Sequence, residues 1–159
     1  MMLQKVQMLV AYLLLSSTTS TGVLVQAISG DPVSFTIEAP EAVQVGDQFT
    51  ISAVFNIETG WYVYAPIDIN ISQGKIPTKV SFKVPDGLKI IGELELPDQN
   101  GYFDTYSGNH VRMSQSFQVE KGMLPGKQTI IANIIYQTCN DDICYPPVRK
   151  NIEIVITVK

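Results

Sequence analysis

The sequence predicts an all-β domain of the immunoglobulin-like sandwich type, preceded by an N-terminal signal segment. Three observations support this fold class. Apolar residues alternate with polar ones in short runs, Gly- and Pro-containing turn signals separate the runs, and no window after residue 33 keeps a 3.6-residue apolar period. A length of 159 residues favours one domain. A closed β-barrel is the lesser alternative, since it would show the same alternation.

The N-terminal segment has the features of an export signal. Lys5 provides a positive start, residues 8–15 form a short apolar run, and a Ser/Thr-rich stretch follows. The small residues ending at Ala27 suggest cleavage there, which gives a signal peptide of residues 1–27 and a domain of residues 28–159. Earlier cleavage within the Ser/Thr-rich stretch is a second possibility. The apolar run is shorter than the ~18 residues that a membrane span requires.

The domain contains seven to nine predicted strands in order along the chain. Turn signals separate the runs: Val45-Gly46-Asp47 precedes the run that starts at Phe49, and Pro85-Asp86-Gly87 follows the run that ends at Val84. Alternating residues in these runs would face a common core, as expected for two packed sheets. The runs cover residues 33–37, 49–57, 61–64, 80–84, 88–91, 111–119, 128–136 and 152–158.

The charge and composition exclude several classes of function. A formal net charge of −4 argues against a nucleic-acid partner, which requires a basic surface. Hydrolytic catalysis has little support, because His110 is the single histidine and no G-x-S-x-G motif occurs. His110 lies in a Gly/Asn-rich turn and is predicted to face solvent. One histidine and two cysteines do not complete a tetrahedral metal site, so no metal and no bound cofactor are predicted.

The two cysteines are the residues with the clearest chemical potential. Cys139 and Cys144 are separated by four residues, after a predicted strand and before Pro146 and Pro147. A disulfide between them would close a small ring, which the chain-entropy model credits with only about 2 kcal/mol. A structural hairpin bridge is therefore one interpretation, and a redox pair on an accessible loop is the other.

The intervening and flanking residues bear on that choice. Asp141 and Asp142 lie between the cysteines and would oppose thiolate formation. Tyr136 and Tyr145 flank the pair directly. A reduced pair with these neighbours would react slowly until a partner changes its environment.

Three stretches resemble one known family. The string from Tyr136 to Pro147, Y-Q-T-C-N-D-D-I-C-Y-P-P, resembles the active-site segment of the N-terminal periplasmic domain of the thiol:disulfide interchange protein DsbD. Residues 60–64 resemble the aromatic strand of that family, and residues 104–108 resemble its cap loop. Only the cysteine segment is specific by itself, although the layout of the whole domain agrees.

The resemblance implies a role for each matching residue. Cys144 would form the mixed disulfide and Cys139 would resolve it. In the cap loop, Tyr106 would be the ring that shields the disulfide and Asp104 the acidic cap residue, while Phe103 is a rival for the shield. The remaining residues would surround the cysteines: Tyr62, Tyr64, Tyr136, Tyr145 and Pro146.

The resemblance also implies a function and its partners. The domain would be a periplasmic component of a protein-disulfide reductase, without a bound cofactor. A membrane thiol electron transporter with a thioredoxin-like domain would reduce it, and oxidised thioredoxin-fold proteins would accept its electrons. Three departures stand out: the loop between the cysteines is one residue shorter, the cap aromatic is tyrosine where known members have phenylalanine, and the chain lacks the transmembrane and thioredoxin-like parts of the full-length protein. The alternative function is a binding or adhesion module with a structural disulfide.

Overall fold

The computed structural model describes residues 20–25, 30–97 and 104–159. Two sequence-based expectations lie outside these ranges. One is the signal segment up to Ala27, apart from residues 20–25, and the other is Phe103 in the cap loop.

Strands dominate the described chain. The alternating apolar runs form the longer strands, as predicted, because side chains of successive residues point to opposite faces. The elements in chain order are β1 Ser20–Val25, β2 Val33–Pro40, β3 Ala42–Val43, β4 Gln48–Ile57, β5 Tyr62–Tyr64, α1 Asp68–Ser72, β6 Lys79–Lys83, β7 Leu88–Glu95, β8 Thr105–Tyr106, β9 Val111–Val119, β10 Gly126–Tyr136, β11 Thr138–Cys139 and β12 Val148–Val158.

Two larger sheets form the sandwich. One has the strand order β1-β2-β4-β9-β7, and the other has the order β3-β12-β10-β6. The chain passes from the first sheet to the second between β2 and β3, and β3 then pairs in parallel with β12. This arrangement confirms the predicted all-β, immunoglobulin-like sandwich.

The core lies between the inner faces of these two sheets. In β10 the alternation is strict from Ile130 onward, and the last inward residue is Tyr136. The Tyr136 ring meets Phe35 and Phe55 of the opposite sheet edge-on, with centroids 6.3 and 6.1 Å apart. On β6, the strand that pairs with β10, the Phe82 ring contacts the Phe117 ring of β9 in the same geometry, with centroids 5.2 Å apart. Edge-to-face pairs of this kind add stability beyond the area that they bury.

A third, small sheet lies beside the sandwich and carries the cysteine segment. Its order is β11-β5-β8, so the aromatic strand β5 lies between the strand that contains Cys139 and the short strand β8 within the cap loop. Tyr136 pairs with Val148 at the end of the β10–β12 hairpin, and β11 begins two residues later. The hairpin of the main sandwich therefore leads directly into the small sheet.

Five elements differ from the sequence-based expectations. Helix α1 was not predicted, because five residues are too few to show an amphipathic period. Strands β3, β8 and β11 have two residues each, below the length that alternation can reveal. Strand β1 lies within the predicted signal segment and pairs with β2 over six residues. Cleavage after Ala27 would remove β1 from the sheet, and the domain boundary stays a prediction.

Among the residues that the structure describes, no helix is long and apolar enough to cross a membrane.

Candidate functional site

Cys139 and Cys144 form a disulfide, with sulfur atoms 2.02 Å apart. The two residues lie opposite each other as an antiparallel bridge, and their Cα atoms are 4.0 Å apart. Backbone hydrogen bonds flank the pair on both sides, from Asn140 N–H to the Ile143 carbonyl and from Tyr145 N–H to the Thr138 carbonyl. The cysteines thus occupy the closely spaced, non-hydrogen-bonded position of a hairpin, where side chains approach most closely.

The loop between the cysteines is a tight turn held by Asn140. The Oδ1 atom of Asn140 accepts hydrogen bonds from the backbone N–H groups of Asp142 and Ile143, at 2.9 and 2.8 Å. Asparagine favours such turns because its short side chain can reach the backbone two residues ahead. The turn therefore places the two cysteines opposite each other.

The two cysteines differ strongly in exposure. Cys139 is fully buried, with 0% of its surface accessible, whereas Cys144 and its neighbour Tyr145 are exposed. The sequence predicted that both cysteines lie on an accessible loop, and this is wrong for Cys139. Its burial arises because β11 pairs with β5, an association that alternation in the sequence does not reveal.

Strand register places two tyrosines beside the disulfide. Tyr62 is the direct cross-strand partner of Cys139, so both side chains point to the same face of the small sheet. The Tyr62 hydroxyl donates to the backbone carbonyl of Asn140 at 3.2 Å, which ties the ring to the turn. Burial, followed by a hydrogen bond with Tyr64 and the negative charges of Asp141 and Asp104, raises the pKa of Tyr62 above its ordinary value. Tyr62 therefore stays a protonated donor. The Tyr64 ring contacts Tyr62 edge-on at 5.7 Å.

Tyr106 lies on the opposite face of the same sheet. It pairs with Val63, which also pairs with Thr138, and these residues face the core while Cys139 and Tyr62 face away. Tyr106 is buried and belongs to the hydrophobic core. The register therefore argues against the expectation that Tyr106 shields the disulfide in this arrangement. The rival, Phe103, lies outside the described residues and stays a prediction.

Beside the exposed cysteine, Tyr145 stacks on Trp61. The two rings are nearly parallel, with an interplanar angle of 13° and centroids 5.0 Å apart. Ile143, within the turn, is also exposed. Pro146 follows Tyr145 and, with Asp31, lines a separate groove on the other side of the cysteine segment. The exposed cysteine thus lies between an apolar turn residue and an aromatic stack.

An acidic and aromatic groove of about 430 Å³ lies on the tyrosine side of the site. It contains Asp141 of the turn and Asp104, the first residue of the cap loop. Lys75 forms an ion pair with Asp104 at 3.7 Å, and its Nζ atom lies 4.7 Å from the centre of the Tyr64 ring. The Asn70 amide also donates to the Asp104 carbonyl at 2.7 Å, so α1 anchors the residue directly before β8.

Tyr136, predicted to surround the cysteines, instead forms part of a partly buried polar cluster around Asp31. Its hydroxyl donates to Asp31 Oδ2 at 2.6 Å, and the Thr138 hydroxyl donates to Asp31 Oδ1 at 3.2 Å. The backbone N–H of Val33 donates to the same Oδ1 atom at 3.0 Å. Burial, the hydrogen bond to Asp31 and the charge of Asp31 raise the pKa of Tyr136 far above its ordinary value.

Sequence reasoning missed four residues that the structure brings to the site. Asn140 carried a signal, since asparagine directly after a cysteine is typical of a turn. Trp61 lies in the aromatic stretch 60–64 that the resemblance had singled out, but its stacking on Tyr145 was not predicted. Asp31 and Lys75 carried none, because each lies more than sixty residues from the cysteines in sequence. His110, by contrast, is exposed in its turn as predicted.

The chemistry available at the site is that of sulfur. In the parts of the chain that the structure describes, no cluster of three or more His, Cys, Asp or Glu residues could hold a metal ion. The disulfide has one exposed and one buried cysteine, an arrangement that lets an external thiol reach only one end of the bond. Thiol–disulfide exchange depends on such access and on which sulfur is attacked.

An immunoglobulin-like sandwich that presents a disulfide of this kind beside its hairpin end has the construction of a thiol:disulfide exchange module. The comparison with protein families agrees. The family model described as thiol:disulfide interchange protein DsbD, N-terminal, matches residues 27–156, and the chain belongs to this family.

Two solved structures are similar to the chain. The N-terminal periplasmic domain of ScsB from Proteus mirabilis is 10% identical, with 87% of this chain and 51% of that chain covered and a TM-score of 0.44. The chain therefore spans about half the length of that protein. The N-terminal domain of Neisseria meningitidis DsbD in the reduced form is 20% identical, with 77% of this chain and 89% of that chain covered and a TM-score of 0.30. A search of curated proteins finds none that matches the chain.

Proposed function

We propose that the chain is an exported, periplasmic module that passes reducing equivalents through Cys139 and Cys144. A membrane thiol electron transporter with a thioredoxin-like domain supplies the electrons, and oxidised thioredoxin-fold proteins receive them. Membership of the DsbD N-terminal family supports exchange at this disulfide. The observation that carries the proposal is the difference between the exposed Cys144 and the fully buried Cys139.

In the forward half-reaction, the reduced domain reduces a partner disulfide. The Cys144 thiolate attacks one sulfur of that disulfide, and the other partner sulfur leaves as a thiolate and takes a proton. The Cys139 thiolate then attacks Cys144 Sγ, and the partner's second thiol is released. Two electrons and two protons have moved to the partner, and the Cys139–Cys144 bond has formed.

In the return half-reaction, a reduced donor attacks the exposed end of the same bond. The donor thiolate bonds to Cys144 Sγ, and Cys139 leaves as a thiolate within its buried position. The donor's second thiolate then attacks the donor sulfur that is bonded to Cys144, so the donor's own disulfide forms and Cys144 leaves as a thiolate. The Cys139 and Cys144 thiolates take up the two protons that the donor thiols lost. Both partners therefore form their mixed disulfide with Cys144. Cys139 resolves the one with the acceptor, and the donor's second thiol resolves the one with the donor.

The surroundings of the pair favour reaction with a docked protein over reaction with small thiols. Asp141 and Asp142 are exposed in the turn, and their charges disfavour a thiolate nearby. A partner surface that neutralises or covers these carboxylates would lower that penalty. The exposed Ile143 and the Trp61–Tyr145 stack provide apolar contact area beside Cys144.

The test is to trap the mixed disulfide. In Cys139→Ala the resolving thiol is missing, so Cys144 should hold an oxidised thioredoxin-fold partner as a covalent complex. The matched variant Cys144→Ala keeps one thiol, but that thiol is buried and should trap no partner. Both variants are expressed with a signal segment in a bacterial periplasm, quenched with acid and analysed by non-reducing electrophoresis and mass spectrometry.

The fold also changes the candidate for the aromatic ring that shields the disulfide. Because Tyr106 lies in the core, Phe103 is the remaining candidate for a ring that covers the disulfide until a partner docks.

If neither cysteine variant traps a thioredoxin-fold protein, the exchange proposal fails, and the alternative of a binding module with a structural disulfide gains support.

A further inference from the structure

The cysteine segment is fixed from behind by one carboxylate that is distant in sequence. Asp31 precedes β2 and accepts three hydrogen bonds, two of them from the segment that leads to Cys139. The donors are the Tyr136 hydroxyl and the Thr138 hydroxyl, which are separated from Asp31 by 105 and 107 residues. Both donor residues are almost completely buried.

Thr138 is the key contact because it directly precedes the buried Cys139. Its backbone is held by Val63 of β5 and by the N–H of Tyr145 across the hairpin. Its side chain is held by Asp31 Oδ1. Asp31 in turn is anchored to the start of β2 by the Val33 N–H, so it joins the main sandwich to the small sheet.

We infer that Asp31 is a positioning residue that keeps Cys139 buried and so directs thiol exchange to Cys144. A hydrogen bond to a charged group is worth more than one between neutral groups, and two such bonds converge here. Without these two hydrogen bonds to Asp31, β11 can move away from the sandwich, and the Cys139 sulfur becomes exposed. This inference rests on the proposed function, since it concerns which end of the disulfide exchanges.

The experiment measures the site of thiol modification in the isolated protein. The disulfide is reduced, the reductant is removed, and the protein is treated briefly with iodoacetamide at neutral pH. Peptide mass spectrometry then gives the ratio of modified Cys139 to modified Cys144. In the wild type this ratio should be small, because Cys139 is buried and Cys144 is exposed.

Two variants test the carboxylate and the adjacent contact separately. Asp31→Asn removes the charge, and Thr138→Val removes one hydroxyl while keeping the shape of the side chain. Each should raise the Cys139:Cys144 ratio about tenfold, the factor expected when a hydrogen bond to a charged group is lost. Far-ultraviolet circular dichroism of the same samples confirms that they are folded.

The matched control is Asp47→Asn. Asp47 also accepts a backbone hydrogen bond in a turn, from Gln44 N–H at 2.9 Å, but it precedes the start of β4 and so lies at the far end of the strand that leads to the site. The ratio of modified Cys139 to modified Cys144 in Asp47→Asn should equal that of the wild type.

If Asp31→Asn does not fold, Thr138→Val decides the question. A ratio within twofold of the wild type in Thr138→Val, or in folded Asp31→Asn, overturns the inference. No partner protein is present, so this result is independent of the trapping experiment: failure to trap a partner would leave a changed ratio standing, and an unchanged ratio would leave trapping at Cys144 standing.

Discussion

Substitution of Asn140 by alanine provides the most direct test of how the turn controls the disulfide. The Asn140 side chain accepts hydrogen bonds from two backbone N–H groups of the turn, those of Asp142 and Ile143. Alanine removes both bonds and leaves the cysteines, the tyrosines and the acidic residues in place. The expected result is a less stable disulfide and a more positive reduction potential.

The magnitude follows from the two lost bonds. Both lie in an exposed loop, so each is worth about 0.5–1 kcal/mol, near the low end for hydrogen bonds in proteins. The cost falls mainly on the oxidised form, because the bridge holds the loop closed and its amide groups cannot relax towards solvent. In the reduced form the loop can open. A loss of about 1–2 kcal/mol corresponds to a shift of about 20–40 mV for a two-electron couple.

The assay is a redox titration against glutathione or dithiothreitol. Samples are equilibrated without oxygen, quenched with acid, alkylated with a mass tag and separated by electrophoresis. Structural disulfides of exported proteins have reduction potentials below about −300 mV. If the wild-type disulfide exchanges with partners, its reduction potential should lie above that value. Asp47→Ala, which removes a comparable side-chain contact in a distant turn, serves as the control and should match the wild type.

Two outcomes would refute this reasoning. A shift of less than about 10 mV, well below the expected range, would show that the turn does not favour the oxidised form. A shift to a more negative potential would show that the Asn140 contacts stabilise the reduced form instead.

Three further predictions concern the aromatic residues Tyr136, Tyr106 and Phe103. Tyr136→Phe should lower the free energy of unfolding by about 1.5–3 kcal/mol at pH 8, because it removes a donor to a charged carboxylate. The pKa of Tyr136 is raised in the folded protein, so this contribution is complete below the ordinary value of 10.0 and is lost as the pH rises towards the raised value. Urea unfolding of the two proteins should therefore give a difference that narrows between pH 8 and pH 11; a constant difference would contradict the assigned hydrogen bond. Tyr106→Ala should lower the free energy of unfolding, measured in urea, by about 3 kcal/mol or more, since it truncates a buried aromatic ring. Phe103→Ala should speed alkylation of the reduced cysteines and leave the free energy of unfolding nearly unchanged. Faster alkylation in Tyr106→Ala at unchanged stability would return the shield role to Tyr106.

The sequence predicted the sandwich well because its signal is local. In β2, and in β10 from Ile130 onward, every second residue is apolar and buried, so the signal lies within each strand's own sequence. The short strands β8 and β11 and the helix α1 carry no such signal, since two to five residues are too few to establish a period. Their structure depends on the neighbours with which they pair.

The candidate site was predicted only in part, for the same reason. The spacing of Cys139 and Cys144 and the tyrosines of β5 could be found from the sequence and from the family that it resembles. The sequence did not reveal that Tyr106 faces the core, because the side of a two-residue strand is decided by its register with Val63.

By itself, the sequence determined an all-β fold and a pair of cysteines close enough to bond. Alternation of apolar residues sets the first, and a separation of four residues within a hairpin sets the second, so both depend on interactions that are local in the chain. Tertiary structure alone decided that the two cysteines are unequal. Cys139 is buried where β11 pairs with β5, and the residue before it donates a hydrogen bond to Asp31, which lies more than a hundred residues earlier in the chain. Contacts between such distant segments depend on the packed sandwich, and no local pattern in the sequence encodes them.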